Sequence, residues 1–169
     1  MRGTKARWLT TMAVLLAGAA PPFVCAQDAE PADRILVEKA ARRLTLFAAD
    51  GRILRVMTGL QLGPNPVGPK RFEGDGRTPE GHYVIDHGNA ASAYHLSLHI
   101  SYPDSSDRAR AAALGRSPGG AIFLHGQPPD WGDRRAPGDW TEGCIALTNS
   151  EIEELWQSVG DGTPIDIVP

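Results

Sequence analysis

RILVEKAARRLTLFAADGRILRVM, residues 34–57, decides the fold class of this 169-residue chain. Ile35 and Val37, then Leu44 and Leu46, recur at every second position, the period of strands with one buried face. Ala49-Asp50-Gly51 supplies a hairpin turn, and Ile53, Leu54, Val56 and Met57 return along a third strand. Further along, strand signals come at His82–Asp86, at Tyr94–Ile100 with Leu96, Leu98 and Ile100 on one face, at Ala121–Leu124, and at Ile165–Val168. Two helices interrupt them. Asp104–Leu114 has Asp104 or Ser105 to cap an Ala-rich body. Thr148-x-x-Glu151 is a capping box ahead of the stripe Ile152, Leu155, Trp156 and Val159. The expected architecture is a mainly β, barrel- or sandwich-like domain with two short helices.

Between these segments lie two irregular stretches. Residues 61–80 are punctuated by Gly63, Pro64, Pro66, Gly68, Pro69, Gly74, Gly76 and Pro79, so regular structure is not expected there. Lys70, Arg71, Glu73, Asp75, Arg77 and Glu80 are expected to be solvated or to border a cleft. Residues 127–139 form a second loop, rich in Pro, Gly and Asp, that leads to Trp140-Thr141-Glu142-Gly143-Cys144.

The chain starts with Arg2, Lys5 and Arg7, continues through an apolar run from Leu9 to Ala20, and reaches small residues at Val24-Cys25-Ala26. That order describes a secretory signal peptide over residues 1–26. The run is too short to span a bilayer as a helix, although an uncleaved anchor is the alternative. A linker over 27–33 and one domain over 34–168 follow, which places the protein outside the cytoplasm, in the periplasm or cell envelope. Lys and Arg number 17 against 20 Asp and Glu, and loss of the leader makes the balance more acidic. An acidic domain without a basic cluster argues against nucleic acid as a partner.

Cleavage after Ala26 leaves Cys144 as the single cysteine, so no intramolecular disulfide is available in an oxidising compartment. A lone thiol there is either buried and inert or put to use. Gly143 before it can adopt backbone angles closed to other residues and allows close approach of a peptide. Of the five histidines, His125 ends a strand and opens a loop, where catalytic groups are commonly displayed. An imidazole beside the thiol can take its proton, and backbone N–H groups at Gly143 and Cys144 can hold an oxyanion. His95 and His99 are spaced as helical metal ligands, but on a strand they stand ~13 Å apart, so no metal site is expected from them.

His125-Gly126 followed by Thr141-Glu142-Gly143-Cys144-Ile145 resembles the signature of the L,D-transpeptidase (YkuD-type) family. The resemblance extends upstream through Gly63–Lys70, Gly74–Gly81, His95–Leu98 and Ile100–Pro103, and so covers essentially Arg34 to Val168. It implies Cys144 as nucleophile and His125 as proton donor and acceptor, with Gly143, Gly126 and Thr141 forming the oxyanion hole and its support. The implied substrate is a peptidoglycan tetrapeptide stem, bound as a thioacyl intermediate and passed to an amine, with carbapenem-type inhibitors expected and no metal or organic cofactor. Many members carry His where this chain has Glu142 and Arg where it has Ala146, which leaves open how a substrate carboxylate is held. The Thr-x-Gly-Cys-Ile-Ala-Leu sequence is similar to a one-domain exported subgroup. Some of its members are amidases that free a wall-linked lipoprotein, so hydrolysis by the same residues is the alternative. A non-catalytic wall-binding domain is the reading from another class.

Overall fold

The computed structural model describes residues 29–169; the expected signal peptide lies outside them. The strands are β1 (Arg34–Glu38), β2 (Arg43–Phe47), β3 (Ile53–Thr58), β4 (Gly81–Asn89), β5 (Ser97–Ile100), β6 (Phe123–His125), β7 (Ile145–Ala146) and β8 (Pro164–Val168). They form one sheet of eight strands in the order β3-β2-β1-β8-β4-β5-β6-β7. Just past β3, Gln61 bridges back to Ala146 of β7, so the two edges of the sheet meet at one point and the sheet curls toward a barrel. The mainly β fold with two short helices is the one expected from the alternation.

The alternating residues do what their period requires. Ile35 and Val37 of β1, Leu44 and Leu46 of β2, and Ile165 and Ile167 of β8 are all buried, and they form one cluster with Leu98, Leu124 and Ile145. Helix α1 (Ser105–Ala113) starts at Asp104, whose side chain accepts from the Asp107 amide while Asp107 accepts from Asp104. Helix α2 (Asn149–Ser158) has the reciprocal Thr148–Glu151 box and buries Ile152 and Leu155. Trp156 packs against the same core.

Two strands are shorter than their hydrophobic runs suggest. β5 begins at Ser97 rather than Tyr94, because His95 takes a φ of 71°, which breaks the ladder and swings its ring toward Glu153 of α2 at 2.6 Å. β6 begins at Phe123 rather than Ala121, because Ala121 has a φ of 53°.

The long stretch over 61–80 carries no helix or strand, as its Pro and Gly content implies, yet it is firmly held. Lys39, at the end of β1 and only 2% exposed, reaches Gly68 O at 2.7 Å, Thr78 O at 3.1 Å and Glu80 Oε1 at 2.8 Å. Lys70 and Asp75, side chains 3% and 5% exposed, pair at 3.0 Å inside the loop. These two charges are therefore buried, not solvated. Asp75 also accepts from the amides of Arg71 and Arg77 at 2.7 and 3.1 Å. Burial raises its pKa, but those amides and Lys70 outweigh burial and hold the carboxyl below the usual range. Removing one partner of a buried pair strands the other charge. Lys39→Met is expected to lower the unfolding free energy by about 3 kcal/mol in chemical denaturation. A loss well under 1 kcal/mol, the range of an exposed pair, would contradict this.

Candidate active site

The site follows from one short pairing. β6 and β7 run parallel with Leu124 opposite Ile145 and His125 opposite Ala146, and the Leu147 amide donates to His125 O at 2.8 Å. Cys144, one residue before Ile145, therefore falls beside Phe123. Alternation along β6 turns Phe123 and His125 to the same face. Phe123, His125 and Cys144 accordingly line one cavity of about 280 Å³. A larger cavity of about 450 Å³ shares His125 and Cys144 with it and is bordered by Lys70, Glu73, Trp140 and Glu142. Tyr94, Ala121, His125 and Cys144 belong to both, so the thiol and imidazole sit where two arms of a groove join.

His125 is buried against two aromatic rings that also touch each other. Tyr94 stacks on it at 4.8 Å and Trp140 meets it edge-on at 5.5 Å. Its Nδ1 lies 2.7 Å from Gly126 O. A carbonyl can only accept, so Nδ1 carries the proton and, in the neutral ring, Nε2 is left with the lone pair. Burial pushes the His125 pKa below its ordinary value, against a smaller upward pull from the Gly126 carbonyl. Cys144 is half-buried, with Sγ 3.5 Å from Ala121 O. Burial raises its pKa, opposed by the Phe123 amide and the field of Lys70. The resting pair is a neutral imidazole and a thiol.

The loop before Cys144 is fixed by Thr141, whose Oγ1 donates to Cys144 O at 2.7 Å and accepts from the Gly143 amide at 3.3 Å. Among the described residues the Cys144 amide finds no acceptor outside the strand ladder. Gly143 has a φ of 130°, and a Cβ there would stand 2.6 Å from Arg77 O. The close approach that demands glycine is thus made by the protein's own backbone. At Gly126 a Cβ would meet Asn149 Oδ1 at 2.5 Å. Ala146 is fully buried and paired to Gln61, so its side chain does not face the groove.

The structure brings Cys144, His125, Gly126, Thr141 and Gly143 together. Sequence reasoning passed over Tyr94, the indole of Trp140 and the buried Lys70–Asp75 pair. Trp140 Nε1 is buried without a hydrogen-bond partner, although the residue borders the groove. The only advance signal was Trp140's position four residues before the cysteine. Trp140→Ala should admit water to His125 and raise its pKa toward the ordinary value near 6.5. An NMR titration of the ring Cε1–H would read this; an unchanged or lower value would be the contrary result.

Comparison with known proteins bears on the family and the fold. The profile of the L,D-transpeptidase catalytic domain (YkuD) matches residues 32–167. An Escherichia coli (strain K12) protein named "Putative L,D-transpeptidase YafK" is 26% identical over 129 residues, 74% of this chain and 46% of that protein. The chain thus spans about half the length of the curated relatives it matches. Among solved structures, the helical cell shape determining protein Pgp2 of Campylobacter jejuni is 25% identical with a TM-score of 0.60, covering 85% of this chain and 51% of that one. Bdellovibrio bacteriovorus Bd1075 superposes with a TM-score of 0.57 at 22% identity, covering 85% and 49%. An L,D-transpeptidase from Mycobacterium smegmatis shares the fold at a TM-score of 0.52 and 16% identity, covering 82% and 59%.

Proposed function

The chain belongs to the L,D-transpeptidase catalytic-domain family, and from that premise we propose that it is a cysteine acyltransferase of the cell wall, exported by its basic and apolar leader. The observation that carries this reading is the convergence of Cys144 and His125 at the junction of two cavities. One arm receives a tetrapeptide stem as acyl donor, and the other admits the acceptor.

In the proposed reaction Sγ of Cys144 attacks the carbonyl carbon of the stem's third residue. His125 Nε2 takes the thiol proton as the bond forms, since neither group is ionised beforehand. The Cys144 amide, which has no acceptor outside the strand ladder among the described residues, donates to the oxyanion. Collapse breaks the bond to the terminal D-alanine, whose amine leaves with the proton from His125. A thioester remains. An amine in the other arm then attacks it, giving a proton to His125 and returning the thiol. Glu73 and Glu142 border the larger arm and attract the acceptor as its ammonium, which sheds one proton to solvent and attacks as the neutral amine. Water in the same place would make the enzyme a hydrolase, and the second cavity is what favours an amine acceptor.

Incubation with purified disaccharide tetrapeptide, read by intact mass, should show an adduct on Cys144 equal to the stem less D-alanine; a carbapenem should also acylate it. Full turnover by Cys144→Ala would end the proposal, and peptide products identified by mass separate cross-linking from hydrolysis. The pH profile follows from the His125 shift. A base with a depressed pKa stays neutral as pH falls through the ordinary histidine value, so the acid limb of kcat/KM is expected below about 6.5. An acid limb above that value would contradict a buried neutral imidazole.

A further inference from the structure

Beside the groove, across Phe123, a pair of histidines lies on β4 and β5. His87 and His99 are directly opposed across the two strands. Their rings stack at 4.6 Å, and both Nδ1 atoms point at one carboxylate oxygen, Asp86 Oδ1, at 2.8 and 2.6 Å. Asp86 and His87 are adjacent in sequence and in a regular strand would face opposite sides of the sheet. A register shift between Ile85 and His87 lets them share one side. Bulges of this kind re-aim a side chain at the cost of ladder pairing. Phe123 meets His99 edge-on at 4.8 Å and His87 at 6.3 Å, an apolar floor beneath the pair.

We propose that Asp86, His87 and His99 form a binding site for a borderline divalent transition-metal ion of the zinc and cobalt class. The three donor atoms lie within 4.8 Å of one another. Tetrahedral ligands held at roughly 2.1 Å from a zinc ion stand roughly 3.4 Å apart, so the contacts of His87 and His99 to Asp86 open by about 0.6 and 0.8 Å on binding. One of the stacked rings, inclined by 23°, turns to aim its in-plane lone pair at the ion. Two imidazoles with one carboxylate select zinc, cobalt or nickel over calcium and magnesium, which take oxygen ligands. The carboxylate offsets half of the ion's charge, and exposure of Asp86 and His87 leaves the remaining position open to water. The site is independent of the acyl-transfer reading. It ties β4 to β5, and β5 is the strand that pairs with the His125 strand.

Untagged protein carrying Cys144→Ala, which removes the competing groove thiol, would be titrated with cobalt(II). One equivalent is expected to bind with visible d–d absorption and without the near-ultraviolet band of a thiolate ligand, and zinc should displace it. His87→Ala and His99→Ala are each expected to weaken binding by roughly tenfold or more. His87 is the safer variant for folding, because its side chain is 55% exposed. No saturable binding, or cobalt bound equally well by His87→Ala, would overturn the proposal.

Discussion

The candidate site rests on two residue pairs between β6 and β7, Leu124 with Ile145 and His125 with Ala146. A shift of one residue would turn Cys144 to the opposite face, as any register slip does. Three contacts resist that slip. Ile145 and Leu124 are fully buried, so a slip would expose the core. Gln61 bridges Ala146 from the far edge, with amides exchanged at 3.1 and 2.9 Å. Its side-chain Oε1 accepts from Gln127, which also reaches Leu147 O at 2.6 Å. The curl of the sheet and the placement of the thiol are therefore one constraint.

Around that pairing, irregular backbone is held by buried charge. Lys39 and Lys70 anchor the stretch over 61–80 to β1 and to itself, and the stretch in turn brings Arg77 O against Gly143 and the Lys70 ammonium near Cys144. Burial moves His125 and Cys144 in opposite directions, and both moves favour the neutral forms. In the proposed reaction proton transfer accompanies nucleophilic attack, beside the aromatic rings of Tyr94 and Trp140.

The strand alternation from Arg34 to Met57 and both capping boxes were legible because they are local rules of period and spacing. Cys144, His125 and Gly143 were legible as a resemblance, while spacing alone left the cysteine open between inert and reactive. What escaped was set by tertiary geometry. Lys70 and Asp75 look like solvated charges in a Pro/Gly-rich loop, and only folding reveals a shared buried pocket. Tyr94 reads as a strand residue, yet the left-handed backbone at His95 ends the strand and lets its ring cover His125. The bulge that turns Asp86 toward His87 leaves no mark in composition, and the spacing rule that separates His95 from His99 says nothing about a neighbour on the next strand.

The central proposal is that the His125 imidazole lifts a proton from the Cys144 sulfur across one strand boundary. The most direct measurement is the rate of thioester formation on Cys144 in wild type and in His125→Asn, followed at neutral pH by rapid quench and intact mass. A general base at that position should make the variant slower by roughly 10²- to 10⁴-fold, with the recovery of rate at high pH that direct ionisation of the thiol supplies. A variant that acylates as fast as wild type would show that His125 is a packing residue, and the account of the site would fail.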